Sequence, residues 1–244
     1  MSATPPHEEV KRSLLESIGL KVVYHLPLDE AVALGIAAPY KIKIIESFLD
    51  DKEKYILAGN KKNRFYTTEM QQYQYLSNQI RRIMFSGKDV PKYLYLNRMR
   101  FIYNLRSKHN VATRLLASLP KEDRILIFHK SIPRIDELCA HTFHSKTNDE
   151  AYKKFIEGKI SRLGVADKVN EGTNIPNVDK ALVVQLNSQP RELIQRLGRI
   201  VRWREGHQAE FYIMQVLQTQ DEKWVAKALQ DLDGPVEYIN AKNI

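Results

Sequence analysis

The chain has 244 residues, 43% hydrophobic and 27% charged, the balance of a folded protein rather than a disordered one. No apolar run approaches the roughly 20 residues of a membrane-spanning helix, and the first twenty residues lack the basic start, apolar core and small-residue cleavage site of a secretion signal. The only cysteine, Cys139, excludes an internal disulfide and a CxxC site, while 38 Lys and Arg against 29 acids leave a net charge of +9 that favours a polyanionic partner. A reducing, intracellular, cytoplasmic setting is expected.

In chain order, Pro5 and Pro6 precede a helical stretch, HEEVKRSLLESIG, acidic early and closed by Gly19. Residues 21–24 form a short β-rich run. Asp29 can cap DEAVALG, which Gly35 ends, and residues 40–45 alternate as a strand. Between residues 50 and 119 the character changes. Two β-rich runs, 55–57 and 64–67, flank AGNKKN and predict a hairpin. Helices are predicted near 70–85 and 92–119. They interleave Tyr73, Tyr75, Tyr93, Tyr95 and Tyr103 with Arg81, Arg82, Lys92, Arg98, Arg100 and Arg106. Two readings stand: a stacking and phosphate-binding surface for single strands, or, as the default, an amphipathic hairpin that packs its tyrosines on the core.

From Arg124 onward strands alternate with helices. The pattern predicts strands at 125–128, 142–143, 162–165, 180–186 and 210–216. Helices are predicted from Pro133 to Ala140, at 149–156 and 190–196, and after Thr219 with Asp221 and Glu222 in the first turn. Short apolar strands between helices imply a parallel sheet covered on both faces, with ligands at the strand ends.

The most informative run is Gln195-Arg196-Leu197-Gly198-Arg199-Ile200-Val201-Arg202. Its three arginines recur every third residue, which concentrates positive charge along one edge. A planar guanidinium stays charged and grips phosphate oxygens with two parallel donors. The plain alternative is a basic surface helix paired with Glu192 and Glu205.

This string resembles motif VI of superfamily 2 helicases, QRxGRxxR. Ile125 to Phe128 followed by His129-Lys130-Ser131 resembles motif IV, and His144-Ser145-Lys146 resembles the polar loop after the next strand. Residues 166–176, ADKVNEGTNIP, resemble motif V, and Ser2-Ala3-Thr4 matches motif III, which lies at the end of the first lobe in that family. The opening glutamine of motif VI points to the DExH-like branch, and the whole is similar to its phage- and repair-type members. The resemblance implies an α/β fold: a RecA-like parallel sheet with helices on both faces, plus a helical insertion at about 50–119. Residues 1–27 would be a remnant of the first lobe and 28–244 the second.

It also implies roles. Arg199 and Arg202 would be arginine fingers, with Gln195 beside the phosphate or water. Arg196, Glu171, Gly172 and Asn174 would lie near the nucleotide. Lys130, Ser131, His144, Ser145, Lys146, Lys168 and Thr4 would meet nucleic acid, through backbone amides and hydroxyls as well as charge. Ala166 stands where a hydroxyl residue is common and Asn174 where an aspartate is, so those two contacts depart from the family pattern.

No Walker loop is present, since neither Gly87-Lys88 nor Gly158-Lys159 is followed by Ser or Thr. Asp29-Glu30-Ala31-Val32 follows the SAT triplet instead of preceding it, and Asp136-Glu137 fails similarly as a magnesium-binding motif II. The seven histidines lack metal-ligand spacing. The expectation is therefore the C-terminal lobe of an ATP-dependent DNA helicase or translocase, inactive alone. ATP and Mg2+ would be bound mainly by a first lobe supplied in cis or trans. DNA is favoured over RNA by family analogy. The rival is a non-catalytic nucleic-acid-binding module derived from such a lobe.

Overall fold

The computed structural model describes residues 13–14, 16–19, 28–166, 178–186, 208–230, 232 and 234–244. Residues 2–4, 21–24, 167–176 and 190–202 lie outside them. The SAT triplet, nearly all of the motif V stretch and the arginine string are therefore sequence readings only.

Buried strands and their crossover helices dominate. The elements in chain order are α1 (Leu28–Ala33), β1 (Tyr40–Ser47), β2 (Ile56–Gly59), β3 (Arg64–Thr67), α2 (Glu69–Phe85), α3 (Lys92–Tyr103) and α4 (Arg106–Ser118). These are followed by β4 (Ile125–Phe128), α5 (Ile132–Leu138), β5 (Thr142–Phe143), α6 (Glu150–Ile156), β6 (Arg162–Val165) and β7 (Lys180–Val183). The described part ends with β8 (Ala209–Val216), α7 (Gln220–Leu229), β9 (Val236–Asn240) and a 3-10 turn, Ala241–Asn243.

Among the described residues, seven strands form one sheet in the order β5-β6-β4-β7-β8-β1-β9, and every pairing in it is parallel. The fold class is the expected α/β sheet. Side chains alternate across it. Leu126, Phe128, Ile42, Ile44, Phe211 and Ile213 fill one layer with Phe155 of α6 and Val225 of α7. Ile125, Ile127, Leu182 and Met214 fill the other with Ala112 and Leu115 of α4. Gly164 is needed for that second layer. A Cβ there would meet Ile135 Cγ1 at 2.7 Å, so only glycine lets α5 seat this close to β6.

Three features depart from the sequence reading. The long helix predicted over 92–119 is broken at Asn104, whose N–H and side-chain amide both bond the Arg100 carbonyl and so close α3. Beyond the break, α4 packs Val111, Ala112, Leu115 and Leu116 under the sheet and serves as the crossover from β1 to β4. The segment that stands apart from the sheet is thus 50–105, shorter than the 50–119 expected. The third departure is β9, an edge strand beside β1 that the sequence reading did not contain.

The 50–105 segment consists of the predicted hairpin, β2 paired antiparallel with β3, and the helical pair α2 and α3. A capping box at Thr68 and Gln71 starts α2. Its inner face docks where β1 and β8 end, with Tyr73, Ile102 and Leu105 against Leu49 and Val216.

Two buried carboxylates hold this junction. Glu69 accepts from the Tyr55 hydroxyl, from Ser107 N at 3.0 Å and from Asp50 N at 3.0 Å, tying together the hairpin, the exit of β1 and the first turn of α4. Burial beside that carboxylate pushes the Tyr55 hydroxyl above its ordinary pKa. Asp221 takes Lys108 Nζ at 2.6 Å and Val216 N at 2.9 Å, with both charged side chains at most 1% exposed. Removing one partner of such a pair leaves an uncompensated charge. Lys108→Met should cost about 3–5 kcal/mol in urea unfolding, and K108M/D221N, which discharges the acid but keeps an acceptor, should recover much of it. A K108M loss below ~1 kcal/mol would show that the pair does not hold the junction.

Candidate nucleic-acid interface

Because every sheet strand runs the same way, all their carboxyl ends emerge on one edge. In register, Phe128 of β4 and Phe143 of β5 both lie opposite Val165 of β6. The loops that start at His129 and His144 therefore leave the sheet at one level, two strand spacings or about 10 Å apart. Ala166, where β6 leaves the sheet, sits between them and donates to the Phe143 carbonyl.

Both loops are held by one device. His129 is buried, and its Nδ1 accepts the N–H of Ser131 at 2.9 Å. His144 is buried, and its Nδ1 accepts the N–H of Lys146 at 3.2 Å. Each ring thus folds its loop back over the strand end. The far side of each ring is also engaged. Nε2 of His144 lies 3.0 Å from Asp136, which also accepts from Thr142. Nε2 of His129 lies 2.7 Å from the amide of Gln185.

Gln185, just past β7, is the hub of the first loop. Its Oε1 accepts the N–H of Lys130 at 2.9 Å, and its Nε2 donates to the Tyr103 carbonyl at the end of α3 at 2.8 Å. Burial, reinforced by the neighbouring charge of Lys108, pushes His129 down to about 3, so its ring is neutral at physiological pH. Asp136 is held below the usual carboxylate range: burial acts against this, and the hydrogen bonds from Thr142 and His144 outweigh it.

These bonds bear on two expectations. The amides of Lys130, Ser131, His144 and Lys146 are engaged within the protein, on Gln185, His129, Thr147 and His144 respectively. His144 itself is buried with both ring nitrogens engaged. It positions its loop. Ser145 and Lys146 are exposed, and Lys130 and Ser131 are half-buried at the rim. Ser131 occupies the N-cap of α5 without a side-chain capping bond. The structure places these four on one edge of the sheet. Thr4, Lys168, Glu171, Gly172, Asn174, Gln195, Arg196, Arg199 and Arg202 lie outside the described residues.

Sequence reasoning missed Gln185, Asp136 and the positioning role of His129. The available signal was a histidine placed directly after each apolar strand end, Phe128 and Phe143. Among the described residues no cluster of His, Cys, Asp or Glu could hold a metal ion. Cys139 is buried, and burial pushes its thiol pKa up, which removes it as a nucleophile.

Residues 107–204 match the family described as the helicase conserved C-terminal domain. This likeness covers less than half of the chain. Its matched stretch begins in α4 and includes both histidine-pinned loops, residues 166–176 and the 195–202 string; the 50–105 segment lies outside it.

Two curated relatives are similar to the chain. A DNA 3'-5' translocase XPB2 of Sulfurisphaera tokodaii is 24% identical over 216 residues, covering 83% of this chain and 49% of that protein. A DEAD-box ATP-dependent RNA helicase 36 of Arabidopsis thaliana is 26% identical over 111 residues, covering 45% and 22%. The chain thus spans about half the length of one and about a fifth of the other. Among solved structures, the E. coli DEAD-box protein SrmB aligns at a TM-score of 0.45 and 19% identity, over 54% of this chain and 84% of that one. S. cerevisiae Dbp5 aligns at 0.48 and 16%, over 56% and 39%.

The neutral His129 sets a pH dependence. An unfolded histidine binds its proton below about 6.5, whereas the folded one does not until about 3. Between these values the unfolded state binds more protons, so stability is full above pH 6.5 and falls as pH drops. Below pH 6.5 the native chain should lose about 1.4 kcal/mol per pH unit more than His129→Asn does in denaturant titrations. Parallel slopes would contradict the assignment.

Proposed function

We propose that the chain is the second RecA-like lobe of a superfamily 2 DNA helicase or translocase, of the DExH-like, phage- or repair-type branch. The carrying observation is the helicase C-terminal match over 107–204, with the complete QRLGRIVR string inside it. The chemistry of that string suits a triphosphate: three permanently charged guanidinium forks and one amide, on one short segment.

In this reading ATP is the substrate and sits between two lobes. The first lobe, in cis or trans, holds the phosphates and the magnesium ion. Arg199 and Arg202 neutralise charge as it develops on the transferred phosphoryl group, an effect worth on the order of 10³–10⁵ in rate. Gln195 lies beside the phosphate or the attacking water, Arg196 anchors the string or faces ATP, and Glu171, Gly172 and Asn174 border the nucleotide.

On the carboxyl edge of the sheet, Lys130, Ser131, Ser145, Lys146 and Lys168 meet the phosphates of a strand, with Thr4 contributing from the first-lobe side. Closure of the cleft moves these contacts along the strand. The pinned loops support this reading, since a grip that carries load needs contacts fixed relative to the sheet. The translocase relative aligns along most of the chain, which supports DNA over RNA.

The test is nucleic-acid-stimulated ATP hydrolysis by the chain joined with its first lobe. Arg199→Ala should lower turnover about 10³-fold while strand affinity changes less than threefold, and the chain alone should not turn over. Unchanged turnover in R199A would favour the non-catalytic binding module.

A further inference from the structure

The helicase reading leaves the 50–105 segment without a role, and its surface is unusual. Of the sixteen exposed large apolar side chains among the described residues, nine fall within it, including Phe65, Tyr66, Tyr75, Phe85, Tyr93 and Tyr95. The same segment carries eleven Lys and Arg against five acids, so it supplies +6 of the chain's +9. A segment that needed charge only for solubility would not pair it with aromatic rings in water.

The arrangement on α2 is ordered. Its inner face is Glu69, Tyr73, Ser77 and Ile80. Opposite, Tyr75, Asn78, Arg82 and Phe85 follow at helical spacing, with Arg81 beside them, over about 15 Å of helix. Phe85 is 89% exposed and Tyr75 57%. Arg81 and Arg82 make no ion pair among the described residues, in contrast to Arg106, which holds Glu53 at 2.7 Å. Rings alternating with guanidinium groups are what an unpaired strand requires: bases stack on the rings whatever their identity, and the cations take the phosphates. A protein partner would also accept the rings, but the uncompensated positive charge favours a polyanion.

The segment is also physically continuous with the sheet edge. The Tyr103 carbonyl that closes α3 is held by Gln185, the side chain that fixes the Lys130 amide.

We infer that segment 50–105 is a second, sequence-indifferent binding surface for single-stranded nucleic acid, with Tyr75 and Phe85 as stacking platforms and Arg81 and Arg82 as phosphate ligands. This role is separate from the arginine string and does not depend on ATP.

The experiment is fluorescence anisotropy of the purified chain with labelled oligothymidylate and oligouridylate of about 20 nucleotides. Y75A/F85A should weaken binding to both at least tenfold, at about fivefold or more per ring. Y75F/F85Y, which keeps the rings, should stay within threefold of the unsubstituted chain. R81A/R82A should flatten the plot of log affinity against log salt by about 1.4, or 0.7 for each phosphate no longer neutralised. Circular dichroism melting confirms that each variant folds.

Lys146→Ala separates the two readings. A loss in K146A with none in Y75A/F85A overturns this inference and leaves the sheet-edge contacts standing; the reverse pattern sustains it and removes them. Unchanged strand affinity in Y75A/F85A, or no strand binding by the unsubstituted chain, overturns it. So does a Y75A/F85A chain that loses only self-association by light scattering, which would make the patch a protein interface.

Discussion

A parallel strand cannot be followed by its neighbour through a tight turn. The chain must cross the sheet, usually through a helix, and re-enter at the far end. Seven strands ordered this way commit every strand end to a single edge, and the hydrophobic alternation of β4, β7 and β8 keeps both faces of the sheet dry. What lies on that edge is therefore decided by which residues happen to follow each strand. In this chain they are His129-Lys130-Ser131, His144-Ser145-Lys146, the run beginning at Ala166, and Gln185.

Polar residues at a strand end do not form a rigid surface unaided. Here the cost of burying two imidazoles is offset by giving each ring nitrogen a partner, and the result is a pair of loops whose amides point inward and whose exposed side chains face out. The 50–105 segment is attached by the same means. Glu69, the Lys108–Asp221 pair and Gln185 each satisfy backbone or charged groups from two or more separate elements. Such junctions transmit displacement, because none of their groups can move without leaving another unpaired. A shift of α3 would reach the Lys130 loop through two hydrogen bonds.

Much of this was legible in the sequence because it is local. ILIF at 125–128 reads as a strand buried on both sides, Gly158 ends α6, and Thr219 with Asp221 starts α7, as observed. Strand ends carrying polar residues were visible too, and with them Lys130, Ser131, Ser145 and Lys146. What escaped depends on partners far apart in the chain. His129 and Gln185 are 56 positions apart and Lys108 and Asp221 are 113 apart, so no window of periodicity could pair them. The break at Asn104 escaped for a different reason: it falls within an otherwise continuous helical pattern and is marked by backbone and side-chain bonds from Asn104 to the Arg100 carbonyl. The aromatic residues divide between the two readings of the sequence, Tyr73 going to the core and Tyr75, Tyr93 and Tyr95 to the surface.

The central claim is that the sheet edge and the arginine string belong to one ATP-driven machine. A structure of the chain together with its first lobe, trapped with a non-hydrolysable ATP analogue, tests it most directly. The account predicts that the guanidinium groups of Arg199 and Arg202 lie within hydrogen-bonding distance of the γ-phosphate oxygens, at about 2.7–2.9 Å. Guanidinium groups turned instead toward their own sheet, or paired with Glu192 and Glu205, would contradict it.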